Sequence, residues 1–160
     1  MTAISFEKQI ADAAGTELTT TLLTALQAEA DYGVGFTFTT SFSAMYIYDL
    51  SIADGLVITF VPNNFATERS SWGGYETSYA IEMMIQKKLA NDGSTVEVDE
   101  VDQLLGFVRR VCRHLLGSRH FVSNTVCCEQ CTGSDNNFPQ MLNEFGLFQV
   151  PVLTTWKITE

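Results

Sequence analysis

Apolar residues between positions 4 and 30 recur at helical spacing: Ile4, Phe6, Ile10, Ala14, Leu18, Leu22, Leu23 and Leu26. The pattern predicts helix, with Gly15-Thr16-Glu17 as a break that divides it in two. The run Thr19-Thr20-Thr21 lowers helix propensity without forbidding it. Tyr32-Gly33-Val34-Gly35 is a clear end. From Phe36 the period changes to two. Phe36, Phe38, Thr40, Phe42, Ala44, Tyr46 and Tyr48 alternate with Thr37, Thr39, Ser41, Ser43 and Met45, a strand pattern rich in β formers. Asp54-Gly55 marks a turn. Leu56 to Val61 is a continuous apolar run ended by Pro62, as expected of a well-buried strand.

Residues 63 to 74 are polar and end in Gly73-Gly74, which predicts a loop carrying Arg69 and Trp72. Alternation resumes from Tyr75 to Leu89. Tyr75, Thr77, Tyr79, Ile81, Met83 and Ile85 fall on one side, Glu76, Ser78, Ala80, Glu82, Met84 and Gln86 on the other. Asn91-Asp92-Gly93 is a turn, and Ser94 with Glu97 fits a capping box. Val98, Val101, Leu105, Val108, Cys112 and Leu115 then follow at helical spacing until Gly117. Between 119 and 146 the pattern is weak. Phe121-Val122 and Thr125-Val126 could pair as a strand, residues 133–137 make a loop, and Leu142 to Leu147 a turn of helix. The last segment alternates through Phe148, Val150, Val152, Thr154, Trp156 and Ile158, a strand in which Pro151 suits an edge or a bulge. The order helix, strands, helix, strands predicts an α+β fold: a mixed or antiparallel sheet flanked by helices, built as a single domain over 1–160.

Composition narrows the function classes. Apolar residues make up 46% of the 160 and charged residues 18%, which argues against disorder. No run of 18 apolar residues occurs and the first residues lack a signal-peptide pattern, so neither a membrane span nor a leader is expected. Nine Lys and Arg stand against nineteen Asp and Glu, a net charge of −10. Such a chain is poorly suited to general DNA binding, where phosphate contacts dominate affinity. Arg109, Arg110, Arg113 and Arg119 cluster in one stretch. They can form a nucleic-acid patch, or complement the dipole at a helix C-terminus whose N-terminal counterpart carries Glu97, Asp99, Glu100 and Asp102.

Candidate chemistry is sparse. Gly33-Val34-Gly35 and Gly73-Gly74 match no phosphate-binding pattern, and no nucleophile motif accompanies His114 or His120, so an enzyme is not expected. Cys128 and Cys131 have C-x-x-C spacing inside Cys127-Cys128-Glu129-Gln130-Cys131. With His120 and one of Cys127, Cys112 or His114 they could supply four zinc ligands. A redox disulfide and inert thiols in a variable loop are the alternatives. No cofactor is expected. The aromatics Tyr75, Tyr79, Phe36, Phe38 and Trp72 either pack in a core or mark an interface, where aromatics and Arg concentrate.

Several segments together resemble a known family. They are Leu56-Val57-Ile58-Thr59-Phe60-Val61-Pro62, Glu68-Arg69-Ser70, Tyr79 to Leu89 with its Ile85-Gln86-Lys87-Lys88, the helix from Val98 to Val108, and Phe148 to Lys157. This resembles the tail-terminator (tail-completion) proteins of bacteriophages and prophages, over residues 45–118 and 147–158. The Cys127–Cys131 stretch is not part of that pattern. The resemblance implies a virion protein, assembled in the host cytoplasm, whose copies form a hexameric ring. Such a ring caps the tail tube and joins it to the neck or head-completion protein, with a sheath protein as a further partner in a contractile tail. DNA passes through the lumen without specific binding, and an acidic surface would keep that path slippery. Arg69, Trp72 and Tyr75 are the interface candidates. A neck stopper protein and a small zinc-binding adaptor domain are the competing functions.

Overall fold

A computed structural model describes residues 5–43, 55–69, 73–89, 98–117, 126–133 and 146–159. Helix α1 spans Phe6–Glu17, capped by Ser5, whose Oγ accepts from the Lys8 N–H at 3.2 Å. The helix continues through a π-helical turn, Leu18–Leu22, into α2, Leu23–Gln27. The threonines explain the irregular turn. Thr19, Thr20 and Thr24 hydroxyls donate to the carbonyls of Gly15, Thr16 and Thr20 at 2.8, 2.7 and 2.6 Å. Hydroxyls that compete for backbone carbonyls loosen the regular ladder. The expected break at Gly15 is therefore corrected: helix runs straight through it. Gly15 is instead a contact point, because a β carbon there would lie 2.6 Å from Thr40 Oγ1.

Five strands follow among the described residues: β1 Thr39–Phe42, β2 Val57–Arg69, β3 Tyr75–Lys88, β4 Val126–Gly133 and β5 Leu147–Thr159. Helix α3, Val98–Gly117, comes between β3 and β4. The sheet order is β1-β2-β3-β5-β4. Only β1 and β2 pair in parallel; the other neighbours are antiparallel, so the sheet is mixed and the fold is α+β. The strand expected from Phe36 to Tyr48 forms a ladder only at 39–42, and residues 44–54 lie outside the described part.

Alternation places one face of the sheet against the helices. Ile58 and Phe60, Ile81, Met83 and Ile85, and Val150, Val152 and Trp156 share a core with Ile10, Leu18 and Leu26 of the first helical segment and Leu104, Phe107 and Val111 of α3. Each such large side chain stabilises the fold by about 1.5–3 kcal/mol on burial. Phe107 of α3 meets Phe36 and Phe38 at centroid distances of 5.4 and 5.0 Å, which seats α3 over the entry to β1. Met84 is buried too, but on the second face, where Gln86 Nε2 donates to the buried Gln149 Oε1 at 3.1 Å. Polar ties join the helices. Arg110 grips Glu29 through two nitrogens at 2.8 and 2.7 Å, His114 Nε2 lies 3.0 Å from Glu17 Oε1, and Gln103 donates to the Asp31 carbonyl at 2.6 Å. Arg110 thus clamps α3 to the turn after α2, a use of the arginine cluster beyond complementing the dipole of α3.

Two further expectations are overturned. Pro62 does not end its strand, and residues 63–69 are not a loop: β2 continues to Arg69 and pairs with β3 throughout. The register shifts between Pro62 and Asn64, and β1 has already stopped at Phe42 opposite Phe60. A bulge beside a local edge is where a strand tolerates a residue without an N–H. Likewise Cys127 to Cys131 lie in strand β4, not in a loop, and Gly133 closes that strand. Pro151 sits in the interior strand β5, one position past the last β4 pair at Val152. The capping box at Ser94 and Glu97, the strand at Phe121-Val122 and the helical turn before Leu147 fall outside the described residues, while Leu147 itself begins β5.

Candidate functional site

The β2–β3 hairpin carries the exposed half of the sheet. Past the bulge, Phe65 stands opposite Tyr79, Thr67 opposite Thr77 and Arg69 opposite Tyr75. The Thr67 and Thr77 hydroxyls are 3.1 Å apart, a cross-strand pair that ties the two strands where no core supports β2. Gly73, with φ of +84°, supplies the left-handed residue near the hairpin end. All residues from Asn63 to Arg69 are exposed. Among the described residues no strand pairs with the β1 side of β2 beyond Phe60.

An aromatic ladder crosses this region on the helix side. Phe6, at the start of α1, stacks on Tyr79 at 5.4 Å, and Tyr79 meets Phe65 at 6.3 Å. The ladder ends in water: Phe65 is 66% exposed and Tyr75 is 51% exposed. Exposed aromatics in one place, with Arg69 beside them, are the composition of a contact surface. Of the three interface residues expected from sequence, Arg69 and Tyr75 are neighbours across the hairpin, and Trp72 lies outside the described residues. Phe65 is a residue that sequence reasoning missed. Alternation carried past Pro62 without the bulge places it on the face opposite Phe60, so the sequence held no clear signal for it.

The second face of the same hairpin is charged. Lys157 of β5 bonds Glu76 and lies 3.7 Å from Glu129 of β4. The hydrogen bond to Glu76 raises the Lys157 ammonium above its ordinary value. The hairpin thus presents apolar rings on one side and paired charges on the other.

The cysteines divide between the two faces. Cys127 stands opposite Lys157 on the second face. Cys128 stands opposite Trp156 on the core face, and the bulge between Cys128 and Gln130 brings Cys131 back to that same face opposite Thr154. Residues three apart in a regular strand would face opposite ways. Here the Cys128 and Cys131 sulfurs are 3.7 Å apart. The neighbouring Cys131 thiol and burial push the Cys112 thiol of α3 up. For Cys131 the Cys112 thiol favours the thiolate, but the bond with Cys128 and burial outweigh it, and the thiol is pushed up to about 12. His114 is engaged with Glu17, and His120 lies outside the described residues. Among the described residues no group of three or more His, Cys, Asp or Glu is placed to hold a metal ion.

Between α1 and β1 an open cavity of about 260 Å³ is lined by Asp12, Gly15, Thr16, Thr19 and Thr40 among others. Asp12 is already paired with Lys8 at 2.7 Å. No helix among the described residues is long and apolar enough to cross a membrane.

No protein-family model matches the chain, and no curated protein matches it. Among solved structures, a chain described as "Virion of native gene transfer agent (GTA) particle" is similar at 12% sequence identity, over 98% of this chain and 100% of that one, with a TM-score of 0.48.

Proposed function

We propose that this protein is a structural component of a phage-type virion, a single-domain tail terminator whose copies form a hexameric ring on the tail tube. The sequence resemblance over residues 45–118 and 147–158 supports the family. The single structural observation that carries the assembly reading is the exposed hairpin bearing Phe65, Arg69 and Tyr75. Rings come from head-to-tail contacts, in which one surface of a copy meets a different surface of the next. A hairpin with solvated aromatics supplies such a surface without disturbing the core beneath it. In this reading Arg69, Trp72 and Tyr75 contact a neighbouring copy or the tube. Neck, tube and, in a contractile tail, sheath proteins are the partners, and the ring takes its place in the virion after assembly in the host cytoplasm. A net charge of −10 then lets DNA pass the lumen without adhering.

The test is assembly. Native mass spectrometry of the protein alone and with purified tail tubes is expected to give hexamers, and electron microscopy to show them at one tube end. Arg69→Ala with Trp72→Ala weakens the ring while leaving the monomer folded. A protein that stays monomeric with and without tubes overturns the proposal. Binding to the head-side neck complex, and not to tubes, would move it to a stopper.

A further inference from the structure

We infer that the outer edge of β4 in one copy pairs antiparallel with β2 of the next copy, beyond the bulge after Pro62. In this joint Cys128 stands opposite Phe65, Cys127 opposite Ala66 and Val126 opposite Thr67. The inference rests on the ring reading and names the backbone contact that joins its copies. Its first support is the level of the two edges. Rows of paired residues cross the sheet from β2 to β4: Phe65, Tyr79, Trp156 and Cys128; Ala66, Ser78, Lys157 and Cys127; Thr67, Thr77, Ile158 and Val126. β1 covers β2 only from Val57 to Phe60, so among the described residues no strand lies past either end of these rows. Three antiparallel pairings separate β2 from β4, so the two run in opposite directions. Rotating a copy about an axis along its strands preserves height and direction. It therefore brings β4 level with β2 of the next copy and antiparallel to it. Repeated rotation of this kind is the head-to-tail contact of a ring.

The second support is the phase of the hydrogen bonds. In an antiparallel ladder successive residues turn their N–H and C=O to alternate edges, and residues directly opposite do so together. Phe60 turns toward β1, where its carbonyl accepts from the Ser43 N–H at 2.9 Å. Its partner Met83 therefore turns toward β5, and so do Ile81, Tyr79 and Thr77. Phe65 and Thr67, opposite Tyr79 and Thr77, accordingly point their backbone groups off the open edge of β2. By the same alternation Trp156 and Ile158 bond to β3, so Cys128 and Val126 point theirs off the outer edge of β4. The level register thus sets outward donors and acceptors against each other. A slip of one residue would set them against Ala66 and Cys127, whose groups already bond within the sheet. No like charges oppose each other in this register. Gln130 falls level with Asn64, and the exposed Phe65 ring lies on the same face as Cys128.

The experiment traps the joint. Cys127 and Ala66 of the next copy form a non-hydrogen-bonded pair, whose α carbons lie about 4.5 Å apart, within reach of a disulfide. Ala66 is exposed, so Ala66→Cys leaves the core unchanged. The full-length variant is oxidised with copper phenanthroline, alone and with purified tail tubes, and run without reductant. A ladder of covalent species up to six chains is expected, with peptide mapping joining position 66 of one chain to Cys127 of another. Adding Cys127→Ser should abolish the ladder. In the otherwise unmutated chain, Thr67→Pro removes an N–H from the open edge alone. It is expected to lose the hexamer in native mass spectrometry while Tm stays within about 4 °C of the parent. Hexamers that form without a link from 66 to 127 overturn the inference and leave the ring reading standing. Links from position 66 to position 66 overturn it as well, since β2 would then pair with itself. A protein that stays monomeric with and without tubes overturns both.

Discussion

At position 15 a hydrogen in place of a methyl group sets how closely the first helix approaches the sheet. Gly15→Ala would gain about 1 kcal/mol of helix propensity. It would also push a β carbon to 2.6 Å from Thr40 Oγ1 and 3.2 Å from Thr40 Cβ, atoms too near the backbone to swing away. Overpacking of this kind costs about 1–3 kcal/mol, so the substitution is expected to lower stability in urea titrations. Adding Thr40→Ala should recover part of the loss. A second residue-level case is Thr154. Its hydroxyl donates to the Ile81 carbonyl at 2.7 Å and accepts from Trp156 Nε1 at 2.8 Å, all within the core. Thr154→Val keeps the shape and removes both bonds. It takes from the buried indole N–H its bond to Thr154, at a cost of about 1–3 kcal/mol. Tryptophan fluorescence and urea midpoints check this, and an unchanged midpoint would mean that the indole finds another acceptor.

Between elements, the Arg110–Glu29 fork links α3 to the turn after α2. The hydrogen bond from Arg110 holds the Glu29 carboxyl below its usual range. A carboxylate with a depressed folded-state value contributes its stabilisation above the unfolded value of about 4.3, and loses it as pH falls through the folded value. Glu29→Gln should therefore flatten the fall in Tm below about pH 4.5 and leave the slope between pH 6 and 8 unchanged. The elements themselves were unequally legible in sequence. The apolar stripe from Val101 to Leu115 and the alternation from Tyr75 to Ile85 each had a single period, and both segments formed as written. Gly15 misled because its weakness as a helix former was offset by a tertiary contact with a residue 25 positions away. Pro62 misled because a proline stops a paired strand but not one that has lost its neighbour on that side. The β4 cysteines were opaque, since a bulge breaks the period of two that sequence reading relies on. For the same reason Phe65 went unnoticed while Arg69 and Tyr75 beside it were picked out by residue type.

At the scale of the molecule, the proposed assembly draws on residues other than those of the core. Phe65 and Tyr75 are solvated, so Phe65→Ser and Tyr75→Ser should each shift stability by no more than about 0.5 kcal/mol. The same changes are expected to weaken self-association or tube capping, measured by light scattering and by tube length. Equal losses in folding and assembly would show that these rings act on the monomer instead. The order of the strands has a consequence of its own. β5, late in the sequence, lies between β3 and β4 and forms a ladder with both along most of its length. The β2–β3 hairpin closes locally and can form first, but β4 has nothing to pair with until β5 has entered. Pairings so distant along the chain are slow to close, on the order of milliseconds to seconds. During that interval β3 offers an open edge and Ile81, Met83 and Ile85 are uncovered, so the sheet is most prone to stick to other copies before its last strand arrives.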